Sequence, residues 1–266
     1  MYFGISEQIQ TLRDTFLQRG YIVMNRAFPE SMLDQHSAGL SAFLLRNPEI
    51  NSAHSDGDSH REVTARRRAF QWHSAEVLQL AVDARIMDAL RALLLEEPFL
   101  LHVGTLSNDV SSRRNFLTQS STSRQINAWI ALKDVKVESG LLWVVPQSHH
   151  LTGNHFERLL RSQPELATRL AIMRESDASM DEWRQLERDY DEASDALLDS
   201  YIEEHRLERV PLMLQRGDVV IFSERLIHGR LSSSIKDGSR WCLVAQYGSL
   251  ANPRSRYFDT DNIDEK

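Results

Sequence analysis

The hydrophobic pattern of the chain changes at Pro98, and this change constrains the fold more than any other feature. Before Pro98, apolar residues recur at spacings of three and four, as at Ile5, Ile9, Leu12 and Phe16, which predicts amphipathic helices. After Pro98, short apolar runs are separated by turn residues, which predicts strands. Helices followed by short, regularly spaced strands indicate an α+β domain built on a sandwich or a barrel.

The apolar runs and turn residues also place the individual elements. Helices are predicted from Ile5 to a stop at Gly20, from about Ser31 onward, and without interruption from Ala75 to Leu95. Strands are predicted at 21–24, 99–103, 125–132, 141–145, 210–214, 219–222 and 240–247. The stretches 47–62 and 107–125 are predicted to be mostly loop, and 155–208, which is dense in Arg, Glu, Asp and Leu, to be a helical insertion.

Composition argues against several classes of function. The net charge is −7, whereas binding nucleic acid without regard to sequence needs a cationic surface. No apolar run reaches the roughly 20 residues that span a bilayer, and the N-terminus lacks the pattern of a signal peptide. The single cysteine, Cys242, lies in an apolar run and is predicted to be a buried thiol. We therefore predict a cytoplasmic protein that binds neither nucleic acid nor a membrane.

Three segments in the second half of the chain have a distinctive order and spacing. The first reads NAWIALKDV over 127–135 and continues as SGLLWVVPQSH over 139–149. The second reads QRGDVVIF over 215–222, and the third reads LIHG over 226–229. In this order, the three segments resemble the phytanoyl-CoA dioxygenase family of Fe(II)/2-oxoglutarate-dependent oxygenases.

The resemblance implies a fold and a pair of cofactors. The fold would be a double-stranded β-helix, or jelly roll, with N-terminal helices and the insertion at 155–208, in a single domain covering 1–266. The cofactors would be Fe(II) and 2-oxoglutarate. Enzymes of this kind hold Fe(II) with two His and one carboxylate on one face of the metal, which leaves three positions for 2-oxoglutarate and oxygen.

Site residues follow from the resemblance, one position at a time. His228 matches the second iron-binding His of the family. Arg240 matches the Arg that pairs with the far carboxylate of 2-oxoglutarate, a role suited to a planar guanidinium. Trp129 and Asn127 match positions at the cosubstrate site. Without the resemblance, His228 would be read as an ordinary polar residue near a strand end, and Trp129 as ordinary core.

The sequence departs from the family at the H-x-D motif, which supplies the other two iron ligands. The best alignment places Thr118-Gln119-Ser120 there, and residues 110–120 contain neither His nor an acid. Hydroxyl groups are poor substitutes for imidazole and carboxylate, so a low affinity for Fe(II) is expected. Arg230 also stands where the family commonly has a small hydroxyl residue. If its side chain points inward, its charge would disfavour a metal ion further.

Two other segments could supply a replacement ligand. His54-Ser55-Asp56 is a literal H-x-D, but it precedes the predicted strands of the jelly roll. His102-Val103-Gly104 is similar to the H-x-G of halogenating relatives, in which chloride occupies the place of the carboxylate, but it lies on an earlier strand.

Two functions therefore remain open at the level of sequence. The first is a family member without ordinary hydroxylase chemistry, a pseudo-oxygenase that binds a small molecule or acts on it without oxidation. The alternative is an active Fe(II)/2-oxoglutarate-dependent oxygenase of small-molecule or secondary metabolism that uses a non-standard ligand set. The missing H-x-D favours the first, whereas the presence of both His228 and Arg240 favours the second.

Overall fold

The structure is a computed structural model that describes residues 7–46, 75–106, 114–115, 125–139, 141–150, 161–176, 178–230 and 242–249. Its helices are α1 (Glu7–Arg19), α2 (Glu30–Arg46), α3 (Ala75–Ala81), α4 (Ala84–Leu94), α5 (Pro164–Glu175) and α6 (Met180–Glu204). Its strands are β1 (Tyr21–Met24), β2 (Pro98–Leu106), β3 (Arg114–Asn115), β4 (Ile126–Ala131), β5 (Leu142–Val144), β6 (Val210–Leu212), β7 (Val219–Ser223), β8 (His228–Arg230) and β9 (Cys242–Ser249).

The strands form two antiparallel sheets that face each other. One sheet has five strands in the order β1-β7-β4-β9-β2, and the other has four in the order β3-β8-β5-β6. Side chains from both sheets meet in one apolar cluster, to which Trp129 and Val220 come from the larger sheet and Leu142 and Leu212 from the smaller. Because the chain alternates between the two sheets from β2 to β5 and again from β6 to β9, the architecture is a jelly roll, and the predicted fold is confirmed.

The outer face of the larger sheet is covered by the N-terminal helices. Along β4, Ile126, Ala128 and Ile130 pack outward against a second apolar cluster that contains residues of α1 to α4. Their neighbours on the strand, among them Trp129, therefore point to the space between the sheets, since side chains alternate along a strand. This alternation assigns each strand position to the inside or the outside of the barrel.

The outer face of the smaller sheet is covered by α6. Trp143 on β5 and Ile227, which directly precedes β8, pack with Leu198, Tyr201 and Ile202 of this helix in a third apolar cluster. A Ser–Glu capping box begins the helix at Ser179, where the hydroxyl accepts from the backbone N–H of Glu182. The insertion predicted at 155–208 is therefore helical in its described part, and it shields the sheet that carries β8.

Polar motif residues outside the barrel interior stabilise turns. The Asp218 carboxylate accepts hydrogen bonds from the backbone N–H groups of Arg26 and Gln215, at 2.7 and 2.8 Å. Gly217, before it, has φ of +90°, and a Cβ there would lie 2.7 Å from the backbone oxygen of Phe28. The glycine and aspartate of the second motif segment thus hold the turn that leads into β7.

The structure corrects several of the predicted elements, among them the third helix, the loop at 107–125 and the residues after His228, which form the unpredicted strand β8. The helix predicted without interruption over 75–95 is divided into α3 and α4, because the Asp83 carboxylate accepts from the Arg85 backbone N–H and so begins a new helix. The loop predicted over 107–125 contains β3, the short strand that pairs with β8. Gly20, in contrast, ends α1 as predicted, with φ of +83°. Within the described ranges, no helix has the length and hydrophobicity needed to cross a membrane.

Candidate functional site

His228 is the first residue of β8 and lies between two other strands of the smaller sheet. Its Cα partner on β5 is Val144, and its Cα partner on β3 is Asn115. The imidazole is buried, with a relative exposure of 9%, and its ring centroid lies 4.7 Å from that of Phe222 on the larger sheet. His228 therefore faces the interior of the jelly roll.

The turn that leads into His228 is held by hydrogen bonds from two directions. The backbone N–H of Leu226 donates to the carbonyl of Ser223, which closes the turn after β7. The backbone N–H of Ile227 donates to Oγ of the buried Ser148 at 2.8 Å, and the Ile227 carbonyl accepts from Val145 N–H. Ser148 comes from the first motif segment, so the serine near the end of this segment positions the turn that leads into the His228 strand.

The protonation state of His228 follows from its surroundings. Nδ1 lies 2.7 Å from the Leu226 carbonyl oxygen, which can only accept, so Nδ1 carries the proton. Burial lowers the pKa of His228 to about 4, and the ring is therefore neutral at pH 7 with Nε2 as an acceptor. A backbone carbonyl on one ring nitrogen is the usual way to orient the other nitrogen toward a metal or a donor group.

Burial of neutral His228 predicts a pH-dependent stability. Because the folded-state pKa is lowered from 6.5 to about 4, the unfolded chain takes up a proton first as the pH falls, and about 3 kcal/mol of stability is lost between these two values. Urea unfolding of parent and His228→Gln protein at several values between pH 7.5 and pH 4 should show a shallower pH dependence for the variant. Parallel curves for the two proteins would contradict this prediction.

Two of the predicted cosubstrate residues lie on the same side of the larger sheet. Trp129 is 3% exposed and belongs to the apolar cluster between the sheets. Asn127, two residues earlier on β4, is partly buried and has Phe222 and Gln246 as its Cα partners on the flanking strands. Since Phe222 contacts His228, the structure brings Asn127 and His228 to the same end of the barrel.

The remaining predicted residues are placed only in part. Arg240, Thr118, Gln119, Ser120, His54 and Asp56 lie outside the described residues. The Cα of Arg230 pairs with that of Leu142, two positions along β8 from His228. His102 is on β2, where it pairs with Gln246, so it belongs to the larger sheet and not to the sheet of His228.

The donor set can be compared with that needed for Fe(II). His228 fits one ligand position, because it is neutral, oriented and directed inward. Among the residues that the structure describes, no group of three or more His, Cys, Asp or Glu could hold a metal ion. The residue paired with His228 on β3 is Asn115, an amide. The described residues therefore fit one of the three positions of a facial triad and do not by themselves fit an iron site.

A buried polar group beside this site was not predicted from the sequence. Gln246 on β9 donates from Nε2 to Oε1 of Gln125 at 2.9 Å and, more weakly, to Oε1 of Glu224 at 3.4 Å. All three residues are at most 7% exposed. Gln125 and Asn127 occupy alternate positions in the predicted strand 125–132, so polar residues at inward positions were the available signal. Only the strand order brings Gln246 and Glu224 next to them.

Comparison with known proteins gives the same fold and a family. Three solved structures are similar at low sequence identity. The epimerase SnoN from nogalamycin biosynthesis, described as α-ketoglutarate dependent, has 17% identity and a TM-score of 0.57, with 91% of this chain and 83% of SnoN covered. A nickel complex of the non-heme monooxygenase ThoJ has 13% identity and a TM-score of 0.56, with 90% and 77% covered. HygX from Streptomyces hygroscopicus, with nickel and 2-oxoglutarate bound, has 16% identity and a TM-score of 0.54, with 93% and 88% covered.

Likeness at these identities shows a shared fold. No curated protein matches the sequence significantly. The model of the family described as phytanoyl-CoA dioxygenase, however, matches residues 16–232, which is most of the chain and includes His228 and all but the last of the described strands. On this match, the chain belongs to the phytanoyl-CoA dioxygenase family.

Proposed function

We propose that this protein binds a small molecule inside its jelly roll and does not act as an ordinary Fe(II)/2-oxoglutarate-dependent hydroxylase. The observation that carries the proposal is the surroundings of His228, which is oriented as a ligand but has Asn115 as its partner on β3. The chain that follows Asn115 carries Thr118-Gln119-Ser120 at the aligned H-x-D position. A single imidazole is too small a donor set to hold Fe(II) tightly against water.

A second candidate function is supported by the same residue. His228 has Nδ1 fixed on a carbonyl and Nε2 directed inward, which is the arrangement that a metal ligand needs. HygX has been solved with nickel and 2-oxoglutarate, and SnoN with Fe³⁺, α-ketoglutarate and nogalamycin RO, which supports these cofactors at the level of the family. An active oxygenase with a non-standard ligand set is therefore the alternative, with Arg240, Trp129 and Asn127 holding 2-oxoglutarate.

Iron content distinguishes the two functions. When the purified protein is loaded anaerobically with Fe(II) and then desalted, we expect well under one equivalent of iron to remain, because one strong ligand does not retain the ion. The matched control is His228→Ala, which should hold the same small amount. Stoichiometric iron in the parent that is lost in His228→Ala would contradict the proposal and establish the oxygenase alternative. In that case, the same comparison in His102→Ala and His54→Ala would identify the second ligand.

A further inference from the structure

The end of helix α1 is joined by hydrogen bonds to the end of the first motif segment. The last turn of a helix leaves backbone carbonyl groups without partners inside the helix. In α1, the Arg19 carbonyl accepts from the backbone N–H of Gln147 at 2.9 Å, and the Leu17 carbonyl oxygen lies 2.9 Å from Nε2 of His149. These two bonds tie α1 to the short 3₁₀ helix Ser148–His150.

The tautomer of His149 is fixed by its contact with α1. A backbone carbonyl can only accept, so Nε2 carries the proton and donates to the Leu17 carbonyl. Nδ1 is buried and has no hydrogen-bond partner. Burial lowers the pKa of His149, so the ring is neutral at pH 7.5. The imidazole is therefore held by a single side-chain hydrogen bond, the one to Leu17.

The other edge of the His149 ring meets the turn before His228 at Gly20. A Cβ on Gly20 would lie 2.5 Å from Nδ1 of His149 and 2.7 Å from Cδ1 of Leu226. Only glycine leaves this space, so the ring and the leucine side chain flank the same point on the backbone. The Leu226 carbonyl is the group that accepts from Nδ1 of His228. His149 therefore packs beside the residue that orients the His228 imidazole.

A second connection runs through Ser148, the neighbour of His149 in the chain. Its Oγ accepts from the backbone N–H of Ile227 at 2.8 Å, so a shift of the 3₁₀ helix also shifts Ile227. Leu226 and Ile227 are the two residues directly before His228. Both of them are thus linked to the 3₁₀ helix whose side-chain bond to α1 is made by His149.

We infer that His149 is a positioning residue that keeps Nε2 of His228 as an acceptor facing the interior of the barrel. Without the bond from His149 to Leu17, the Leu226 carbonyl is free to move away from Nδ1 of His228. An imidazole without that acceptor populates both neutral tautomers, and in the second one Nε2 is a donor. The inference goes beyond the proposed function, because a metal ion and a ligand with a donor group both require the acceptor form.

The tautomer of His228 is the measurement that tests this role. In long-range proton–nitrogen NMR spectra of the metal-free protein at pH 7.5, the parent should show a protonated Nδ1 and an unprotonated Nε2. His149→Leu keeps a side chain of similar size but cannot donate to Leu17. The ratio of the Nε2-protonated to the Nδ1-protonated form of His228 should then rise about fivefold, as expected when one hydrogen bond is lost.

Two further variants separate positioning from a general effect on the fold. His149→Gln carries an amide N–H that can reach the Leu17 carbonyl, so it should restore the tautomer of the parent. His150→Leu makes the same substitution as His149→Leu at the exposed neighbouring position, and it should leave the tautomer of His228 unchanged. If His149→Leu does not fold, His149→Asn takes its place, because its amide is one methylene shorter than that of glutamine and does not reach Leu17.

The outcomes are distinct from those of the iron experiment. An unchanged His228 tautomer in folded His149→Leu or His149→Asn protein overturns the inference. An equal change in His150→Leu, or no recovery in His149→Gln, also overturns it, because the hydrogen bond to Leu17 would then not be the cause. Stoichiometric iron on His228 overturns the proposed function instead, and the tautomer of the metal-free protein still decides the role of His149.

Discussion

Introducing Thr118→His together with Ser120→Asp should raise the affinity for Fe(II) by roughly a hundredfold or more, because three converging ligands would replace one. His228 already supplies a neutral, oriented imidazole, so the double variant adds only the missing imidazole and carboxylate. Iron retained after anaerobic desalting measures the gain. A titration with 2-oxoglutarate, followed by the weak visible charge-transfer absorption of its iron complex, then reports whether Arg240 holds the cosubstrate as the family resemblance implies.

The strand register supplies the controls for this experiment. Asn115 is the Cα partner of His228, so the ligand positions are expected within the few residues from Asn115 onward. Asn115→His with Leu117→Asp places the same pair three residues earlier and tests that alignment. Both designs should also be made with Arg230→Ser, because Arg230 lies two positions from His228 on β8. If none of these variants retains iron, the end of the barrel no longer has the geometry of an iron site, and the proposal of a non-oxygenase is strengthened.

Gly229→Ala should lower the free energy of unfolding by about 3 kcal/mol, at the upper end of the usual cost of overpacking a core. A Cβ at Gly229 would lie 2.3 Å from Cζ2 and 2.7 Å from Cε2 of Trp143. The indole cannot easily move away, because Trp143 is 7% exposed and packs between the smaller sheet and α6, with the Arg209 guanidinium 5.1 Å from its ring. Urea unfolding with an unchanged m-value is the measurement.

Two further variants show whether the cost comes from this contact. Gly104→Ala adds the same methyl group in β2, where the nearest atom is the His102 Nε2 at 3.5 Å, and its stability should remain within about 1 kcal/mol of the parent. Trp143→Leu combined with Gly229→Ala should cost less than the sum of the single changes, since the smaller side chain removes the clash. Additive costs would show that Trp143 is not the cause.

Sequence patterns predicted the helices and strands that are marked by neighbouring residues in the chain. Strand β1 was predicted with the bounds that the structure gives, because Gly20 ends the preceding helix and an apolar run follows at once. The division of the third helix at Asp83 was missed because helical spacing continues across it, and only the capping bond reveals the break. Strands β3 and β8 were missed because two or three residues are too few to show alternation, and their pairing depends on contacts between distant segments.

The candidate site could be predicted from the sequence only where a motif marks it. His228 was singled out because it follows the strand of the second motif segment, and the structure places its ring inside the barrel beside Phe222. Gln246 and Glu224 belong to no motif, and they reach Gln125 only because β9 and the end of β7 flank β4. From the sequence alone, a single polar residue in an apolar run can be either an inward-facing residue of a buried strand or an exposed residue at the edge of a sheet.

The turn before His228 is held by hydrogen bonds within the protein, so its conformation does not depend on a bound metal ion. Ser148 and Val145 fix the backbone of Ile227, and Leu226 fixes the imidazole, so no metal is needed to assemble this corner of the barrel. The chelating position is consequently preorganised without a cation, and removal of metal should leave the melting temperature unchanged, unlike the behaviour of domains that fold around their ion. A scaffold of this kind keeps its fold whether or not an ion is bound, so the fold itself places no requirement on the metal.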